Sequence, residues 1–154
     1  MKQSLISFAA GALMLAASTA FAHSDEVLDT QKAPNGGQQR MAGAYHFELL
    51  VAKDSKEARD NPVVVYVTDH ANAKIPTVGA GGTATILAGK QKASVKLVPD
   101  GDNRLKGVGK YASAPDMKVV VAVTLAGKPA EQARFTPLAA PLAVATDGHT
   151  GHKH

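Results

Sequence analysis

Cysteine and tryptophan are both absent from this chain of 154 residues. Without cysteine no disulfide can brace the fold and no thiolate can ligate a metal, so any metal site must rely on nitrogen and oxygen donors or on methionine sulfur. The lack of tryptophan and cysteine together excludes the antibody-type core, in which two cysteines flank a buried tryptophan, but not a sandwich without those features. A strong charge of one sign is missing as well. The formal net charge is only +4 and its basic residues are dispersed, which argues against a nucleic-acid protein. No Gly-x-Ser-x-Gly nucleophile motif occurs, and Ser24, Ser55, Ser94 and Ser113 stand in ordinary polar contexts. The glycine cluster Gly79-Ala80-Gly81-Gly82 does not join a strand to a helix, so it reads as a loop and not as a phosphate cradle. No catalytic constellation is visible, and the chain is not read as an enzyme.

A long apolar run is also lacking. Residues 1 to 22 carry Lys2, then a core from Ile6 to Ala17, then Ala20-Phe21-Ala22. A membrane span needs roughly 20 apolar residues. This core is shorter and ends in the small-residue pattern that signal peptidase cleaves, so it reads as a secretory signal peptide cut after Ala22. The expected mature chain is exported, soluble and not membrane-spanning. It runs from His23 to His154, the size of one domain, and its only sulfurs are Met41 and Met117.

What is present is a strand rhythm. Residues 23 to 40 are polar, with Pro34-Asn35-Gly36-Gly37, and read as a flexible leader. From Ala44, the residues Tyr45, Phe47, Leu49 and Val51 alternate with His46, Glu48, Leu50 and Ala52, close to the period of a half-buried strand. Pro62 opens the β-branched run Val63 to Thr68. Thr83 to Leu87 and Ala93 to Leu97 flank Gly89-Lys90 as a hairpin. Further strands are read at Arg104 to Lys110, Met117 to Leu125 and Glu131 to Phe135, the last two joined by Gly127-Lys128-Pro129. Seven short strands without a helical period predict an all-β fold: an immunoglobulin-like antiparallel β-sandwich over residues 41 to 137, with a barrel as the alternative. The stretch from 138 to 154 reads as an extended tail.

Histidine carries the chemistry. His149, His152 and His154 fall within six positions of the C-terminus, so a flexible chain can bring their imidazoles to one ion, or leave them as a solvated polar end. Cleavage after Ala22 makes His23 the N-terminal residue, where amine and imidazole can chelate together. Cleavage after Ala20 instead gives Phe21-Ala22-His23, a set suited to square-planar copper or nickel. The third candidate lies in the fold. If residues 44 to 52 pair with residues 62 to 70, Val67 stands opposite Phe47 or Leu49, and either register turns His46 and His70 to the same outward face. They are then diagonal or direct partners, about 7 to 8 Å or about 5 Å apart at Cβ. Glu48 is a candidate oxygen donor beside them; the plainer reading is two unrelated surface histidines.

The stretches GGQQRMAGAYHFELLV, VVVYVTDHANAKIPT and KVVVAVTLAGKPAEQARF resemble a group of small exported immunoglobulin-like proteins associated with heavy-metal, especially copper, efflux and resistance in Gram-negative bacteria. The likeness spans most of residues 36 to 136. It implies a periplasmic location, a binding or accessory role, and an efflux component as partner. It carries over His46 and His70 as candidate ligands. Such relatives often hold a histidine before the paired glycines, where this chain has Asn35.

Together these readings predict an accessory protein that binds or buffers a divalent transition metal as its cofactor or cargo. With no cysteine and few methionines, copper(II), nickel, cobalt or zinc is expected over copper(I). Because only neutral imidazole ligates, affinity should weaken as pH falls through roughly 6.5. The alternative is an envelope protein-interaction sandwich with no metal role.

Overall fold

Along one segment, Val63, Val65 and Val67 are fully buried while Val64, Tyr66 and Thr68 remain partly exposed. That period of two turns one face of a β-branched run into a core and leaves the other free, which a helix of the same residues could not do. The computed structural model describes residues 24–140, and the pattern recurs through most of them. The signal-peptide reading, His23 and the three C-terminal histidines therefore lie outside the described residues.

The elements are α1 (Asp25–Asp29), β1 (Gln38–Ala42), β2 (Tyr45–Val51), β3 (Arg59–Asp69), β4 (Gly81–Ala88), β5 (Gln91–Pro99), β6 (Arg104–Tyr111), β7 (Lys118–Thr124) and β8 (Ala130–Phe135). Among the described residues no helix is long and apolar enough to cross a membrane. All pairings are antiparallel, and the eight strands form one sheet in the order β1-β2-β3-β6-β5-β4-β7-β8. The expected all-β fold is present, with one strand more than the seven anticipated. The sequence β2 to β8 has the order of the seven strands in an immunoglobulin sandwich. The two edges also approach each other, since the Thr136 backbone N–H donates to Gln38 Oε1 at 2.8 Å. The sheet is thus nearly closed, so it combines a sandwich-like strand order with a barrel-like continuity.

The fourth of those strands links the two halves. Residues up to Leu97 of β5 pair with β4, after which Val98 and Pro99 pair with Lys106 and Leu105 of β6. The turn from one partner to the other needs a close approach at Gly107, where an added Cβ would collide with the Lys96 carbonyl oxygen and the Val95 side chain. Phe47, Leu49, Val65, Ile86, Leu97, Leu105, Val121 and Phe135 fill the space enclosed.

The leader differs from its expectation. Asp25 to Asp29 form a helical turn, and Arg40 grips Asp29 through two nitrogens, Nη1 to Oδ1 at 2.6 Å and Nη2 to Oδ2 at 3.0 Å. The Met41 backbone N–H donates to Asp25 Oδ1 at 3.0 Å. These bidentate and charge-assisted bonds hold a polar segment in regular structure that its few apolar residues did not foretell. The cluster Gly79 to Gly82 is likewise divided: Gly81 and Gly82 begin β4, and Gly82 lies against the Ala122 carbonyl.

Candidate metal centre

Strands β2 and β3 pair with Phe47 opposite Val67 and His46 opposite Thr68. This is the diagonal one of the two registers, and in it Phe47 and Leu49 both enter the core with Val65 and Val67. His46 and Glu48 therefore share the other face. His70 is the first residue beyond β3, and its place is set by the turn that follows. Asp69 Oδ1 accepts the N–H groups of Ala71 and Ala73, each at 2.8 Å, and Asn72 takes a left-handed φ of 62° that asparagine tolerates. The turn returns the chain so that Ile75 N–H donates to the Val67 carbonyl at 3.1 Å.

The result is a stacked pair of imidazoles, with ring centroids 5.0 Å apart and planes 19° from parallel. Both Nε2 atoms are shielded from solvent. For His70 Nε2 there is no hydrogen-bond partner among the described residues. A buried nitrogen left so costs of order 1–3 kcal/mol, unless something else occupies its lone pair or proton. His46 Nδ1 lies 3.3 Å from Gln39 Nε2.

The His46 part of that face is covered, contrary to the outward, exposed position expected, while His70 is partly exposed. His46 is 2% and Glu48 3% exposed: Asn35 and Gly37 bond to Glu48, while His46 meets the Gln39 side chain and the His70 ring. The Glu48 carboxylate is fully engaged there. Its Oε1 accepts the backbone N–H groups of Asn35 at 2.8 Å and Gly37 at 2.9 Å, and its Oε2 accepts Asn35 Nδ2 at 2.8 Å. Three donors on one buried carboxylate make it a clamp for the leader, which removes Glu48 as a free oxygen ligand. Gly37 is required beside it, since a Cβ there would strike the Leu49 carbonyl.

Of the six candidate ligands, the structure brings His46 and His70 together; His23, His149, His152 and His154 are outside the described residues. Among the described residues no group of three or more His, Cys, Asp or Glu side chains is placed to hold an ion. Two neighbours of the pair were not singled out from the sequence. Gln39 touches the His46 ring, and Met41 stands directly opposite His46 in the β1–β2 ladder. Their signal would have been the β1–β2 pairing, which a polar stretch reading Gln-Gln-Arg-Met-Ala does not announce.

Compared with protein-family models, with curated proteins and with solved structures, the chain finds no match in any of the three.

Proposed function

We propose that the protein is an exported, periplasmic accessory protein that binds or buffers a divalent transition metal, copper(II) foremost, with His46 and His70 as its ligands in the folded domain. His149, His152, His154 and His23 are additional donors in this reading, and its role is binding, not catalysis. The observation that carries it is the adjacency of two imidazoles with shielded Nε2 atoms, one on β2 and one in the turn that follows β3. The sequence resemblance to exported copper-resistance proteins supports it from a different direction.

The chemistry follows from the ring nitrogens. The in-plane lone pairs of near-parallel rings do not converge, so His46 and His70 would have to reorient to hold one ion together, each supplying an imidazole nitrogen. As placed, the Gln39 amide nitrogen faces His46 Nδ1 as a donor; a metal held at His46 Nε2 would put the ring proton on Nδ1, and the Gln39 amide would have to turn over for its oxygen to accept that proton's hydrogen bond.

Titration of the purified chain with copper(II), nickel and zinc tests this reading. The expected result is binding well tighter than millimolar, or roughly −4 kcal/mol. It should be lost in His46→Ala/His70→Ala and retained in a chain ending at Ala145. Loss in the truncation alone transfers the site to the tail, and no binding by the intact chain ends the proposal.

A further inference from the structure

The β1–β2 ladder places a sulfur beside the imidazoles. In β1, Arg40 and Ala42 stand opposite Phe47 and Tyr45, and Ala42 belongs to the core. The alternate residues Gln39 and Met41 therefore project to the other face, as the Gln39 contact with the His46 ring demonstrates. Met41 is the cross-strand partner of His46, which puts their Cβ atoms about 5 Å apart, within reach of an unbranched thioether chain. Its backbone is fixed on both sides, by the Asp25 bond to its own N–H and by the Arg40–Asp29 pair next to it. Met117, by contrast, is fully buried in the core, so Met41 is the one thioether among the described residues that lies at this face.

We propose that Met41 is the third donor of the His46–His70 centre, and that its thioether lets the site hold copper(I) as well as copper(II). The inference rests on the metal reading given above. Two imidazoles alone are borderline donors that suit copper(II), nickel and zinc; a thioether is soft and adds affinity chiefly for copper(I). A centre of two nitrogens and one sulfur keeps its ion when the oxidation state changes. Counting methionines argues against copper(I), whereas one methionine in the right register suffices.

The test uses the purified full chain, with Met41→Leu and His46→Ala/His70→Ala beside it and thermal unfolding to check that each variant folds. Copper(I) is titrated under a reductant against a chromophoric chelator, nickel(II) and zinc(II) are titrated in parallel, and copper K-edge absorption reads the ligand shell. In Met41→Leu, copper(I) affinity should fall about tenfold or more while nickel and zinc change little, and the sulfur shell seen in the wild type should disappear. With no cysteine in the chain, a sulfur shell can come only from methionine. A nitrogen-only shell, with copper(I) affinity unchanged in Met41→Leu, overturns the inference and leaves the histidine centre standing. An equal loss of all three metals in Met41→Leu assigns Met41 to the shape of β1 and also overturns it. No metal at the histidine pair in the wild type overturns both readings.

Discussion

At one end of the β2–β3 hairpin, the Tyr111 hydroxyl accepts the Ala52 N–H at 2.9 Å and donates to the Pro62 carbonyl at 2.5 Å. Around it, Asn61 Nδ2 donates to Ser55 Oγ at 2.8 Å and to the Tyr111 carbonyl at 2.7 Å, and Ser113 Oγ donates to the Ala52 carbonyl at 2.7 Å. At the other end, two imidazoles stack on each other, and His70 Nε2 keeps its bonding capacity unused among the described residues. Both clusters are polar and lie at opposite ends of the same hairpin. The first spends its donors and acceptors on backbone groups of three separate segments, and so ties the fold. The second retains capacity, which is what a ligand needs. Saturation, more than burial or polarity, separates a structural cluster from a candidate site in this molecule.

Three substitutions press on that contrast. The largest effect is expected from Glu48→Ala, which strips three N–H groups of their charged acceptor and should destabilise the domain by about 3 kcal/mol. Urea unfolding measures it, and amide exchange at Asn35 and Gly37 should quicken most. An unchanged midpoint would show that the leader is not clamped by Glu48.

Next comes Tyr111→Phe. It orphans the Ala52 N–H and the Pro62 carbonyl and should cost about 2 kcal/mol. Burial of the hydroxyl pushes the Tyr111 pKa above the ordinary 10.0, with the Ala52 hydrogen bond opposing that rise. The unfolded chain therefore loses this proton first as pH climbs. The contribution is complete below pH 10.0 and is lost as pH rises from there through the higher folded value. Wild-type stability should decline along that limb, and in Tyr111→Phe the part due to this group should vanish. An identical alkaline limb in both proteins would refute the assignment.

The smallest effect is expected from His70→Phe. The phenyl ring preserves a stacking surface for His46 and removes a shielded nitrogen that has no hydrogen-bond partner among the described residues, so stability should rise, by about 1 kcal/mol. Metal binding at the pair should be abolished. A loss of stability as large as that in Tyr111→Phe would place both ends of the hairpin in the same structural class.

Much of the fold was legible because burial on one face leaves a period-two imprint. Val63 to Thr68 and Met117 to Leu125 carry it clearly, and β3 and β7 are where they were expected. The hairpin turn at Gly89-Lys90 was readable from glycine chemistry, and Gly89 does adopt a positive φ of 57°. The His46–His70 neighbourhood was also within reach, since matching the inward faces of two strands limits the register to two choices. β1 was not legible. Arg40 is buried there beside Phe47 only because Asp29 neutralises it, and that pairing joins residues eleven apart with no periodic signature. Missing β1 also hid the cover over Glu48 and the position of Met41.

The meeting of β1 with β8 has one more consequence. Open sheet edges recruit strands from other molecules, and a short edge strand that docks against the opposite edge blunts both. In this protein the sealing segment is the same five-residue stretch that carries Gln39 and Met41 to the histidines. Peeling it away would expose two ladders to self-association and uncover the histidine pair in one motion, so colloidal behaviour and the integrity of the proposed centre are tied to a single docking event.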